Sequence, residues 1–265
     1  MNMLERAFAR MGARVEFDQL NRRSRLSGRS AAEDLALDVR RDRQGECFLI
    51  SRALKSTTEL VVLDVQPRGR HLLLLSRSGG EKHRFLLGHD ERHWFVAGIP
   101  ERTPVSRVRE AKQALKPDLV QRSEFGLRAK YRDRRSNPVR IRQGEWFFIP
   151  VPDVEVKKLL VLRSEPIARG GGKPHVCEEL CRFGGETVYV SRGAPNGLTE
   201  KRYRALSEGE RSRENWRVMR RNPKVYVRGR VRHLDHKTVV LDGWHEVLSN
   251  TENLSHAMRN VAFLD

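Results

Sequence analysis

The sequence predicts a mostly β, α+β protein: two β-rich, barrel- or meander-like modules joined by a helix and a basic connector. Three observations carry that expectation. Short runs rich in Val, Leu, Ile and aromatics recur at roughly ten-residue spacing, separated by turn punctuation such as PRGR and SRSGGEK. No long helical patterns alternate with them, which disfavours βαβ units. Finally, one phrase is written twice: RQGECFLI at 43–50 and RQGEWFFI at 142–149 agree at six of eight positions, 99 residues apart.

At the N-terminus, Met3, Leu4, Ala7, Phe8 and Met11 fall on one face of a helix, and a helix packed on the domain is expected there. The first series of strands is expected at 47–51, 60–66, 71–77, 83–88 and 93–97. SRVREAKQALKP reads as one helix, with Ser106 as its cap, Val108, Ala111 and Leu115 at helical spacing, and Pro117 as its stop. The basic stretch 118–139 reads as a linker or exposed loop. The second RQGE phrase opens another series, with strands expected near 159–163, 186–191, 225–232, 238–241 and 244–248. Between them, LTEKRYRALSEGERSRENWRVMRR is expected to be helical in its first half, capped by Thr199 and closed off by Pro223. In VYVRGRV, Val225, Val227 and Val231 alternate with Arg228, Arg230 and Arg232 across Gly229, the pattern of a strand with one buried and one basic face.

The expected organisation is an N-terminal helix and polar arm (1–40), a first β-rich module ending in a helix (41–117), the basic connector (118–139), and a second β-rich module (140–265) with a helical insertion at 198–221. In both copies Gln-Gly-Glu reads as a turn feeding a strand that starts a module. Duplication and convergent turn chemistry both produce such an echo.

The charge is strongly basic: 52 Lys+Arg against 34 Asp+Glu, a formal net charge of +18. Arginine contributes 41 of those cations, since only 11 are lysine. An excess of this kind attracts phosphate-rich partners, and the arginine fork matches phosphate bidentately. The basic residues cluster at 128–142 and 211–232, with a smaller group at Arg22, Arg23, Arg25 and Arg29. Compositional inflation of arginine would give a basic surface too, but without clusters. No apolar run approaches the roughly 20 residues of a membrane-crossing helix, and the N-terminal stretch lacks the apolar core of a secretory leader. Three cysteines form no even disulfide framework. A cytoplasmic location without membrane contact is the resulting expectation.

Four groups of residues could carry chemistry. GHDERHWFV places His89, Asp90, Glu91 and His93 within five residues, as acid/base or metal-binding groups do; a polar hairpin turn with Asp90 bonded to backbone amides has the same sequence. GGGKPHVCEELC contains a Gly-rich stretch before Lys173, but its spacing is not that of a phosphate loop, and Pro174 removes a donor. His175, Cys177 and Cys181 in the same segment can contribute to a zinc site, or the thiols can be buried beside a short helix. RHLDHKTVVLDGWHEV supplies His233, His236 and His245, which with His175 could converge at one mouth of the β module. Asp235 or Glu246 would then orient the imidazoles. The order His245, Asn250, His256 matches a ββα metal nuclease only in outline, and nothing before it supplies the expected ribbon ligands.

Four blocks of the second module, RQGEWFFIPV (142–151), ARGGGKPHV (168–176), ETVYV (186–190) and RHLDHKTVVLDGWHEV (232–247), resemble a group of small bacterial proteins of unassigned function. Those proteins open on an RQGD-like phrase and end in a histidine-containing hairpin; this chain has His175 alone where they carry a histidine pair. The whole sequence is also similar to an uncharacterised bacterial family marked by a GHDERHWFV-like phrase. The resemblance implies an architecture and no activity.

The leading expectation from sequence is a non-enzymatic protein that binds nucleic acid or another polyanion. Arg134, Arg135, Arg140, Arg217, Arg220, Arg221, Lys224 and Arg228 would contact phosphates, and Trp216 and Tyr226 would stack on bases. The alternatives are a metal-dependent hydrolase or nuclease using the histidine cluster, and a protein-interaction subunit of a bacterial multicomponent system. No organic cofactor motif is present; a divalent metal is the one cofactor these residues leave open.

Overall fold

The run HLLLLS is apolar without alternation, and the computed structural model, which describes residues 2–19, 34–54, 56–169, 172–256 and 258, shows why. It forms β5 (His71–Ser78) inside an antiparallel meander of β4 (Glu59–Gln66), β5, β6 (Glu81–Asp90) and β7 (His93–Ile99). Both faces of this sheet are covered. Leu72 and Leu74 point to a core shared with α1 (Met3–Arg10), β2 (Leu35–Asp42) and β3 (Gly45–Arg52). Leu73 points to the opposite core with Val108, Ala111 and Leu115 of the α2 region (α2, Val108–Ala114). A strand buried on two sides has no reason to alternate. The arginine cluster at 22–29 lies outside the described residues.

α1 buries Ala7 and Phe8, and its C-cap Met11 is buried with them, as the periodicity requires; the helix starts with a reciprocal cap between Asn2 and Glu5. β3 sits between β2, antiparallel, and β1 (Val15–Gln19), parallel. The expected cap of α2 is corrected: Arg107 occupies the N-cap position, and the Glu110 carboxylate reaches back to the amides of Ser106 and Arg107 at 2.8 and 3.1 Å.

The stretch 118–139 differs from the expected linker. It contains α3 (Asp118–Ser123) and α4 (Ala129–Arg132) and is anchored by a buried ion cluster. Glu124, 2% exposed, accepts from Lys116 Nζ at 2.6 Å and Arg140 Nε at 2.7 Å, and Arg140 also donates to the carbonyls of Arg132, Arg134 and Arg135. Buried charge this well paired tolerates no loss of one partner.

The second β region is a seven-stranded sheet. Its order is β11 (Leu162–Ile167), β12 (His175–Phe183), β16 (Lys224–Arg232), β17 (Val239–Ser249), β10 (Trp146–Pro150), β9 (Arg140–Gln143) and β8 (Ser136–Asn137). β12 replaces the short helix expected around the cysteines, and the two expected C-terminal strands are one continuous β17. Within 198–221, helix is confined to α5 (Glu200–Arg204), capped by Thr199, and α6 (Glu208–Ser212). Arg217–Arg221 is a strand, β15, in a small sheet with β13 (Glu186–Val190) and β14 (Leu198–Thr199). Among the described residues no sheet closes into a barrel, and the overall class is β-rich α+β.

The two RQGE phrases both form hairpin turns, but not the same one. In the first, Asp42 pairs with Gly45 around Arg43–Gln44; in the second, Gln143 pairs with Trp146 around Gly144–Glu145. The turn therefore falls two residues later in the second copy. A two-residue offset preserves side-chain parity, so Phe48 and Phe147 are both buried.

Candidate metal centre

Strand register builds the site. Val176 of β12 pairs with Arg232 of β16, so their neighbours His175 and His233 meet where the strands end. The turn from β16 to β17 then brings back His236. The nitrogen atoms these three side chains can offer a cation all lie within 4.8 Å of one another. The rings are stacked: His175 lies 4.1 Å from His233 and 5.6 Å from His236, and the latter two are 4.5 Å apart, all within 26° of parallel.

His175 is 1% exposed, yet neither ring nitrogen has a hydrogen-bond partner, and Nδ1 of His236 has none either. Burial pulls the His175 imidazole down to about 3 and the His236 imidazole to about 4, with the neighbouring histidines adding to both shifts. Both rings are therefore neutral at physiological pH and keep a free lone pair. Buried polar atoms without partners are rare in folded proteins. Two more, Trp146 Nε1 and Gln143 Oε1, come from the second RQGE hairpin. Gly144 of that hairpin, at φ +56°, lies against the rings: a Cβ there would sit 2.8 Å from His236 Nε2 and 3.4 Å from His175 Nε2.

His233 is already engaged at both nitrogens. Nδ1 accepts from the Asp235 amide at 3.1 Å, and Nε2 lies 3.2 Å from the Lys173 carbonyl. Asp235 in turn bonds Lys173 Nζ at 3.0 Å and faces His93 Nε2 at 3.4 Å. The other His93 nitrogen rests on Glu46, in the first RQGE phrase, whose second oxygen accepts from the Trp94 amide at 2.9 Å. Glu91 accepts from the Lys237 amide at 2.7 Å and lies 3.8 Å from His236 Nδ1. Thus the GHDERHWFV turn and the RHLDHK turn touch through residues 142 to 146 positions apart in sequence, with one RQGE hairpin on each side.

Of the four expected metal ligands, three meet and His245 does not. It lies six residues into β17, roughly 20 Å from the turn at the usual strand rise, and its Nδ1 is 3.1 Å from the Gly243 carbonyl. Asp235 stands beside the triad as expected, whereas Glu246 pairs with Lys224 at 3.1 Å. Cys177 and Cys181 are not part of the triad; burial raises their thiols to about 12 and about 11, which disfavours the thiolate a metal requires. His89 packs edge-on against Trp94 at 4.9 Å, and Asp90 binds Arg135, so these two do not form an acid/base pair with His93. Among the described residues no contact joins His245, Asn250 and His256: Asn250 accepts from Arg169, and His256 is exposed.

The expected phosphate-binding residues are mostly occupied. Arg140 is buried on Glu124, and Arg135 is held by Asp90 and Glu91. Arg221 pairs with Glu186, Lys224 with Glu246, and Arg228 with Glu179 while lying 4.8 Å over Trp244. Tyr226 is 6% exposed and stacked on Phe183, which closes its ring to a base. Trp216 is half-buried, edge-on to Tyr203, with Nε1 bonded to the Arg211 carbonyl at 3.1 Å. Arg134 lies over Tyr131, and Arg220 donates to the Gly185 carbonyl; Arg217 is exposed.

Sequence reasoning missed Glu46, Gln143 and Gly144, whereas Glu91 belongs to the expected GHDERHWFV group. The signal for the three was the repeated RQGE phrase, which marks the site as well as the architecture. No helix among the described residues is long and apolar enough to cross a membrane. Comparison of the chain with protein-family models, curated proteins and solved structures finds no match to any of them.

Proposed function

We propose that the protein is metal-dependent and that His175, His233 and His236 hold a divalent ion of the zinc class. The observation that carries this reading is the buried His175 ring, neutral and unpartnered at both nitrogens, with two further imidazoles within ligand-sharing distance. Imidazole suits zinc and its neighbours in the first transition row. Three protein ligands leave one position for water or a substrate oxygen, the arrangement of hydrolytic rather than purely structural zinc. Elemental analysis of zinc-loaded, desalted protein tests it: one equivalent per chain is expected, with His175→Ala retaining none. Hydrolysis of an activated aryl ester, present in the wild type and lost in that variant, would extend the reading to catalysis. Wild-type protein that retains no metal would refute it.

A second reading keeps the polyanion partner, on a smaller surface. It is favoured by β15, where Arg217 and Arg220 are exposed on an edge strand and neither has a carboxylate partner among the described contacts. Under this reading Arg217→Ala/Arg220→Ala lowers the log–log salt slope of oligonucleotide binding by slightly under two. An unchanged slope would remove these residues from the interface.

A further inference from the structure

The turn between β16 and β17 has two faces. His233 and His236 turn toward His175; the backbone and carboxylate between them turn toward the β6–β7 tip. Lys237 N–H donates to Glu91, Arg92 reaches the Leu234 carbonyl at 3.4 Å, and the Asp235 carboxylate meets His93. What happens on one face is therefore felt on the other.

Two geometric facts set the sign of that coupling. Stacked rings aim their in-plane lone pairs side by side, not at one point, and the ring centroids lie 4.1, 4.5 and 5.6 Å apart. Nitrogens around tetrahedral zinc at 2.0–2.1 Å lie only about 3.4 Å apart. Loading the triad therefore turns the stacked rings until their lone pairs converge, and so shifts the turn that carries His233 and His236 against His175 at the start of β12. Moreover, both groups bonded to His233 also govern Asp235: one is its amide, and the other belongs to Lys173, whose ammonium holds its carboxylate. If the metal takes Nδ1, Nε2–H keeps its carbonyl acceptor, the outer contact that orients a ligating imidazole. The Asp235 amide is then released.

We infer that metal binding at the histidine triad and docking of the β6–β7 tip through the His93–Asp235 bridge oppose one another, so that the tip regulates metal affinity. This rests on the metal reading above and adds to it a partner within the chain. Linkage makes the effect reciprocal. Breaking the bridge without touching a ligand should tighten metal binding, and metal should loosen the tip.

The full chain is titrated with zinc by calorimetry as wild type, His93→Gln and Glu46→Gln, with thermal melts showing that each variant is folded. Amide exchange of residues 89–94 is followed with and without zinc. Expected are at least about fivefold tighter zinc binding in one or both variants, within the usual range of coupling between sites, and faster exchange at 89–94 in zinc-loaded wild type. His175→Ala should show no zinc effect on exchange. Stoichiometric zinc binding in the wild type with unchanged or weaker affinity in both variants would overturn the inference and leave the metal centre standing. A wild type that binds no zinc would overturn both.

Discussion

At the scale of single residues, Gly144 and Glu124 are held by different physics. Gly144 lies at φ +56°, a backbone region costly for any side chain, and the space beside it belongs to His236 and His175. Gly144→Ala should cost about 1–3 kcal/mol by denaturant unfolding and should also weaken zinc binding, because the new methyl presses on two ligands. A similar loss of stability with unaltered zinc affinity would show that the turn does not support the rings. Glu124 is the shared partner of Lys116 and Arg140. Glu124→Gln strands two buried cations and should destabilise by about 3–5 kcal/mol, whereas an exposed pair such as Glu200–Arg204 should cost well under 1 kcal/mol when broken. That cluster also explains why Arg140 looks available in the sequence and is not: a run of arginines gives no sign of which one folds inward.

At the scale of elements, β5 is the keystone of the first half, since its side chains serve one core on each face. Leu73→Ala should cost about 2–5 kcal/mol, measured by chemical denaturation; an effect under 1 kcal/mol would contradict its burial between the meander and α2. The meander strands were legible in the sequence to within a few residues because short apolar runs there are separated by Gly, Pro and Ser turns. β12 was not legible. HVCEELCRF alternates poorly because a bulge between Cys177 and Glu179 breaks the period, and Gly-Pro punctuation before it resembles the approach to a helix. The stretch Arg217–Arg221 was misread for a related reason: as an exposed edge strand it carries no buried stripe to distinguish it from a helix end. Of the site, the three histidines were legible as metal-ligand types, and so was an expected carboxylate, Asp235. Which histidine belonged to the group was not, because only the strand register separates His233 from His245.

At the scale of the whole molecule, the histidines make folding sensitive to acid. Burial lowers His71 to about 4, His236 to about 4 and His175 to about 3, all below the ordinary value of 6.5. Between those values the unfolded chain binds more protons than the folded one, so stability is full above about pH 6.5 and falls as pH drops toward 4 and then 3. Urea midpoints measured across this range should decline, and His71→Gln should flatten part of the decline. A midpoint independent of pH from 7 to 4 would contradict the burial of these rings. The net charge of +18 persists in the folded chain, but four of the clustered arginines, Arg135, Arg140, Arg221 and Arg228, are paired with neighbouring carboxylates, which removes those positions from a continuous basic face.

What unites the residues, the turns and the two sheets is the proposed metal site, where the two RQGE hairpins flank the histidine triad. The most direct measurement is the visible spectrum of the protein titrated with cobalt(II), a colour-bearing substitute for zinc. A ligand-field band that saturates at one equivalent and is absent in His175→Ala is the expected result. A colourless wild type, or a band that survives the loss of His175, would contradict it.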